Sequence, residues 1–168
     1  MPFQVLTQAN YFSEERLQSL VSLMSRASGH SPYLYANDQA FFRRNLSGEA
    51  NNVFVYDDKK MIGYAALRSM NPWPTYLDAQ PYPPKQCAMM LINVVDPDYR
   101  GKGVGNLLMK ARINVAKSEG MEHLFSTVHP DNAPSLRLLE KHGFNKIAQK
   151  EMFQEQLLRN LMYLNITQ

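Results

Sequence analysis

A single cysteine, Cys87, stands in a chain of 168 residues, which excludes an intrachain disulfide and a thiolate cage for a metal. His30, His123 and His142 share no metal-ligand spacing either. No run of basic residues is longer than Arg43-Arg44 or Lys59-Lys60, so the net charge of +3 suits a small anionic ligand better than a nucleic-acid groove. No apolar stretch reaches the roughly 18 residues that span a bilayer. The opening "MPFQVLTQAN" lacks the basic start and apolar core of a leader, so the expectation is a soluble cytoplasmic protein. Repeats and low-complexity segments are absent. What is plentiful is core material: 45% of the residues are hydrophobic, enough for one globular domain over residues 1–168. The ten methionines, scattered through core positions, point to plastic packing and to no ligand box.

Periodicity orders the elements. "FQVLTQ" reads as a strand, after which Ser13 can cap a helix with Glu14 and Glu15 in its first turn and Phe12 and Leu17 spaced for a hydrophobic staple. Gly29 ends that helix, and a shorter one follows Asn37. "NVFVY", the turn "DDKK" and "MIGYAALRSM" form an antiparallel hairpin. With five prolines in fourteen residues, "NPWPTYLDAQPYPP" can only be a long loop. "CAMMLINVV" is apolar enough to be buried on both faces, which places it mid-sheet. A helix runs from Val104 to a stop at Gly120, then come the strand "HLFSTV", a helix from Pro134 to Gly143, and the closing strands "FNKIAQK" and "LLRNLMYLNI". The order is β, α, α, β, β, β, α, β, α, β, β.

Glycine is sparse, eight in all, yet three fall within five positions of "DYRGKGVGNL". This stretch turns from the mid-sheet strand into a helix. A P-loop is excluded because Lys102 is followed by Gly103, and a dinucleotide fingerprint because its third glycine would fall at Asn106. What remains is a glycine corner at a helix N-terminus, where unpaired N–H groups and the dipole favour an anion.

Two motifs in order carry a family likeness. "VVDPDYRGKGVG", with Arg100, Gly103 and Gly105, matches the loop R/Q-x-x-G-x-G/A; "NAPSLRLLEKHGF", with Asn132, Ser135, Leu138, Gly143 and Phe144, matches N-x-x-(A/S)-x-x-L and its Gly-Phe end. In these motifs, and in its element order, the chain resembles the GNAT acetyltransferase superfamily, most strongly over residues 86–145. The resemblance implies an α/β fold with a mixed, mostly antiparallel sheet splayed at its central strands and helices on both faces. It also implies acetyl-CoA as co-substrate and no metal. The backbone of Arg100, Gly101, Lys102, Gly103, Val104, Gly105 and Asn106 would wrap the pyrophosphate. Asn93, Val94 and Val95 would pair with the pantetheine amides, Val95 N–H would help hold the oxyanion, and Asn132 with Ser135 would lie at the pantetheine.

The departures from the pattern fall on the proton-transfer groups. Where many members carry an acidic Tyr after the motif Leu, this chain has Leu139; the two positions used for a general base hold Met89 and Thr127; and no Asp or Glu lies between Asp78 and Asp96. Candidates from the residues themselves are His129 as a base near neutral pH, opposed by its place in the turn "HPDN", and Asp78, opposed by a solvated loop. Tyr64, Tyr76 and Tyr82 are alternative donors, though each also suits aromatic packing. Cys87 could form an acyl-enzyme or be a small buried hydrophobe. Trp73, Tyr76 and Tyr82 could wall an acceptor cleft, or the loop could be pinned by its own prolines. The expected activity is direct acetyl transfer to a primary amine of a small molecule, peptide or protein. The rivals are a non-catalytic acyl-CoA-binding or sensing module and, more remotely, a nucleic-acid-binding domain.

Overall fold

The computed structural model describes residues 2–8, 12–35 and 37–167. The elements are β1 (Gln4–Gln8), α1 (Glu14–Ser28), α2 (Gln39–Arg44), β2 (Asn51–Asp57), β3 (Lys60–Ser69), β4 (Cys87–Val95), α3 (Val104–Ser118), β5 (His123–Val128), α4 (Ala133–Lys141), β6 (Asn145–Met152) and β7 (Leu157–Asn165). Their order is the one expected. The strands run β1-β2-β3-β4-β5-β7-β6. The pairs β1–β2, β2–β3, β5–β7 and β6–β7 are antiparallel, and β4–β5 is parallel, as the α3 crossover between them requires.

Local chemistry sets the helix ends. Ser13 caps α1 by accepting the Arg16 N–H at 3.1 Å, and Glu14 and Glu15 face the positive end of the dipole. Phe12, just ahead of the cap, is 39% exposed, with the Arg43 guanidinium 5.1 Å from its ring centroid. Gly29 closes α1 at φ −71°, without a left-handed turn, whereas Gly120 and Gly143 stop α3 and α4 at φ 76° and 95°.

The chain divides into two compact units, Met1–Leu67 with Ile92–Val115 and Arg68–Leu91 with Ala116–Gln168. In the first, strand alternation assigns helices to both faces. Val55 lies opposite Gly63 and clusters with Val104 and Leu108 of α3; Phe54, pointing the other way, meets the Arg16 guanidinium of α1 at 4.7 Å. Also buried is a polar triad in which Tyr64 Oη donates to Asn52 Oδ1 at 2.5 Å and accepts from Asn45 Nδ2 at 3.3 Å. Burial there raises the Tyr64 pKa well above the ordinary phenol value, so the hydroxyl stays protonated and is a weaker acid than a free phenol.

In the second unit the odd-numbered residues of β4, β5 and β7 face a cluster of Met70, Leu77, Cys87, Met89, Phe125, Met152 and Leu161. Trp73, Tyr76 and Tyr82, from the irregular proline-rich loop, pack against this cluster. The opposite face of β7 carries Leu164, whose Cδ1 would lie 3.2 Å from a Cβ on Gly143, at the end of α4.

Candidate active site

The root of the glycine loop is held by charge. Asp96, fully buried directly after β4, donates its N–H to Ile62 O on β3 at 2.8 Å. Its Oδ1 accepts the Asp98 N–H at 2.9 Å, while Oδ2 accepts Arg26 Nε of α1 at 2.9 Å and lies 3.6 Å from Lys60 Nζ. Burial by itself would raise this carboxyl, but the Asp98 N–H, Arg26 and Lys60 outweigh it and hold its pKa below the usual range. Arg26 also reaches Met61 O at 3.3 Å, so α1, β3 and the loop share one anchor. Tyr99 donates to Asp57 Oδ2 at 2.6 Å, and that hydrogen bond raises the phenol pKa. The ammonium groups of Lys60 and Lys102 lie 5.5 and 5.2 Å from its ring centroid.

Beyond this anchor the backbone opens. Gly101 and Gly103 take φ 75° and 84°, conformations that favour glycine, and no heavy atom lies within 4 Å of where either Cβ would stand. Arg100 points back to His30 O at 3.4 Å. The first amide of α3 bonded back into its own turn is Leu107 N–H, to Gly103 O at 3.1 Å, so Val104 and Gly105 N–H have no intrahelical acceptor. The corner therefore presents amides at the positive end of a fifteen-residue helix to open space. A diphosphate fits such a cradle.

The helix sits close to β3 because Gly63 lets it: a Cβ there would stand 2.7 Å from Val104 Cγ1. Four residues after Leu108, on the same stripe of α3, comes Arg112, which is 2% exposed. Its guanidinium donates to Ala66 O (3.4 Å), Ile92 O (3.3 Å), Leu108 O (3.4 Å) and Asn93 Oδ1 (3.2 Å). None of these partners is a carboxylate, and burial lowers its pKa to about 9. At neutral pH the group still keeps its charge. The parallel ladder of β4 with β5 ends at Met90–Ser126, and β4 continues through Leu91–Val95. Cys87 O accepts from Met70 N–H at 2.9 Å.

The remaining candidates lie in the second unit. His129 Nδ1 accepts the Asp131 N–H at 3.0 Å, which puts the proton of the neutral ring on Nε2; the ring must give up this bond to act as a base. Asp78 is exposed and ion-paired with Lys150 Nζ at 2.6 Å. Cys87 donates to Pro83 O at 3.3 Å, and burial pushes its thiol up to about 11, which argues against an acyl-enzyme. Met89 and Leu139 are buried packing residues. Tyr76 lies 4.6 Å from Phe153, centroid to centroid; Tyr82 stacks at 3.8 Å on His123 and at 5.4 Å on Tyr163, whose hydroxyl is 2.7 Å from His123 Nδ1. Asn132 caps α4, its Oδ1 accepting the Ser135 N–H at 3.4 Å. Among the described residues no group of three His, Cys, Asp or Glu could hold a metal ion, and no helix is long and apolar enough to cross a membrane.

The acetyltransferase (GNAT) family matches residues 15–144, and the chain belongs to that family. YwnH of Bacillus subtilis, which bears the name of a phosphinothricin acetyltransferase, is 42% identical over 50 residues, 30% of this chain and 31% of its own. The curated relatives are thus matched over about a third of their length or less. Among solved structures, yncA of Salmonella typhimurium with its cofactor acetyl-CoA superposes with a TM-score of 0.76 at 17% identity, covering 100% of this chain and 96% of that one. The ribosomal-protein-S18-alanine N-acetyltransferase of Escherichia coli gives 0.72 at 20% identity, covering 98% and 96%. At such identities the likeness is one of fold.

Proposed function

We propose that this GNAT family member transfers the acetyl group of acetyl-CoA directly to a primary amine. The observation that carries the reading is the pair of left-handed glycines, Gly101 and Gly103, opening the backbone at the N-terminus of α3 with no atom over either Cβ position. The amides from Gly101 to Asn106 would hold the pyrophosphate, with Lys102 and Arg100 adding positive charge. Asn93, Val94 and Val95 would take the pantetheine, and Asn132 with Ser135 would contribute from the N-terminus of α4. When bound, acetyl-CoA supplies an activated thioester carbonyl. Val95 N–H would meet the oxygen of that carbonyl as it becomes an oxyanion.

The proton-transfer groups narrow the acceptor. Without a carboxylate at position 89 or 127, the enzyme depends on amine that is already neutral. A lysine side chain with pKa about 10.4 is neutral in about one molecule in 2,500 at pH 7, an α-amino group near 8 in about one in ten, a difference of roughly 3.3 kcal/mol in available nucleophile. The reading is therefore an α-amino group or another weakly basic amine, with water or His129 taking the proton. CoA can leave as thiolate, a thiol of pKa about 8.5 being its model, so Leu139 need not abolish turnover. Trp73, Tyr76 and Tyr82 would provide an aromatic wall for an apolar or cationic acceptor.

The buried Met89 and Leu139 favour a second reading, an acyl-CoA-binding module that does not turn over. Thiol release from acetyl-CoA separates the two. Matched peptides differing only in a free N-terminus or a free lysine, assayed from pH 6 to 9, should give faster release with the α-amine at pH 7. Faster lysine acetylation removes the acceptor assignment; no release with any pooled amine favours the binding module.

A further inference from the structure

Asn93 is fixed in an unusual way for a strand residue beside a proposed thioester site. A guanidinium has donors only, so the atom that Arg112 holds at 3.2 Å must be Asn93 Oδ1, and the orientation of the amide follows without ambiguity. Its Nδ2 is thereby turned away from Arg112, and among the described residues it donates to no protein acceptor. It is not sealed in the core either, because Asn93 is only half-buried. Arg112 is held in place for this contact, since three of its other N–H groups donate to Ala66 O, Ile92 O and Leu108 O. A charged donor on Oδ1 also polarises the amide and strengthens whatever bond Nδ2 makes.

We propose that Asn93 Nδ2 is a second oxyanion donor, acting on the acyl-CoA thioester carbonyl beside Val95 N–H, with Arg112 as the positioning residue that aims it. The inference rests on the acetyl-CoA reading of the site. As the amine nitrogen bonds to the carbonyl carbon, the π pair moves onto oxygen, where the Asn93 and Val95 N–H groups meet it. Collapse restores the carbonyl, breaks the carbon–sulfur bond and releases CoA thiolate. The ammonium proton passes to water, and the thiolate takes one from solvent. Asn93 and Arg112 supply no proton in this scheme; they stabilise the negative charge on the carbonyl oxygen.

Asn93→Asp is the decisive variant. It is isosteric and pairs more strongly with Arg112, so the thermal midpoint should hold or rise, but it replaces an outward donor by an acceptor. Loss of one oxyanion donor is expected to lower kcat about 10²-fold with little change in acetyl-CoA affinity by calorimetry. Asn93→Ala should lower kcat similarly, and it decides the matter if the aspartate variant does not fold. Arg112→Lys, which keeps the charge but loses the fork, should lower kcat with affinity retained. The Asn93 side-chain amide signal in a 15N spectrum, assigned by its absence from the variants, should shift more on adding acetyl-CoA than on adding CoA. Undiminished kcat in both Asn93 variants, or an amide signal indifferent to the acetyl group, overturns the proposal. Failure of the unmutated protein to bind acetyl-CoA would instead remove the reading beneath it.

Discussion

Replacing Gly63 by alanine should disturb the glycine corner from behind. The new Cβ would stand 2.7 Å from Val104 Cγ1, with Leu108 Cδ1 and Val55 Cβ each at 3.4 Å. Carbon atoms settle at about 3.5–4.0 Å, so roughly 1 Å must be found. Val104 is 1% exposed and β-branched, which leaves its methyl nowhere to swing. Because Val104 is the first residue of α3, the shift must pass to the helix N-terminus and to Gly103 beside it. Overpacking of this kind costs about 1–3 kcal/mol, against the about 0.5–1 kcal/mol that alanine gains over glycine within a strand. A net loss of about 0.5–2 kcal/mol should appear in urea unfolding as a lower midpoint with the same slope, and calorimetry should find acetyl-CoA binding weakened. In a Val104→Ala background the clashing methyl is gone, so the same substitution should cost markedly less. Equal costs in the two backgrounds, or unchanged stability and affinity in Gly63→Ala, would refute the packing argument.

Asp96→Asn should destabilise by ~1–3 kcal/mol, less than a fully buried pair because Arg26 is 35% exposed. Since the Asp96 pKa is depressed in the folded state, its contribution is present above the unfolded value of about 3.9 and is lost as pH falls through the folded one. Urea unfolding at pH 7 and pH 3 should therefore differ less in the variant than in the unmutated protein; an equal difference would mean that Asp96 is not the group responsible. Cys87, with its thiol raised to about 11, should resist alkylation at pH 8 until denaturant is added, and Cys87→Ala should keep full turnover. Rapid native alkylation, or an inactive alanine variant, would reopen the acyl-enzyme alternative.

Contiguous signals were the legible ones. The apolar run before "HPDN" became β5 with the expected ends, His123–Val128, and the proline density of residues 71–84 did keep that segment irregular. Gly101 and Gly103 were legible as a corner because glycine, strand and helix periodicity coincide there. What escaped depends on partners distant along the chain. Arg26 and Asp96 are 70 residues apart, and nothing local to either marks the pair. Gly63 reads as a weak spot in a strand until Val104 is placed above it. Arg112 did leave a trace, a charge in phase with Leu108 and Ala116 on the apolar stripe of α3. The orientation of the Asn93 amide required knowing that its neighbour could only donate.

The central claim is that residues 101–106 hold the pyrophosphate of acetyl-CoA. Calorimetric titration of acetyl-CoA into the unmutated protein and into Gly103→Val tests it most directly. Valine adds a side chain to the open face and is disfavoured at φ 84° by about 1–2 kcal/mol, a cost small enough to leave the chain folded. The account predicts one binding site in the unmutated protein and at least about a tenfold loss of affinity in the variant, beyond 1.4 kcal/mol. Equal affinity in the two proteins, with the variant folded by circular dichroism, would contradict it.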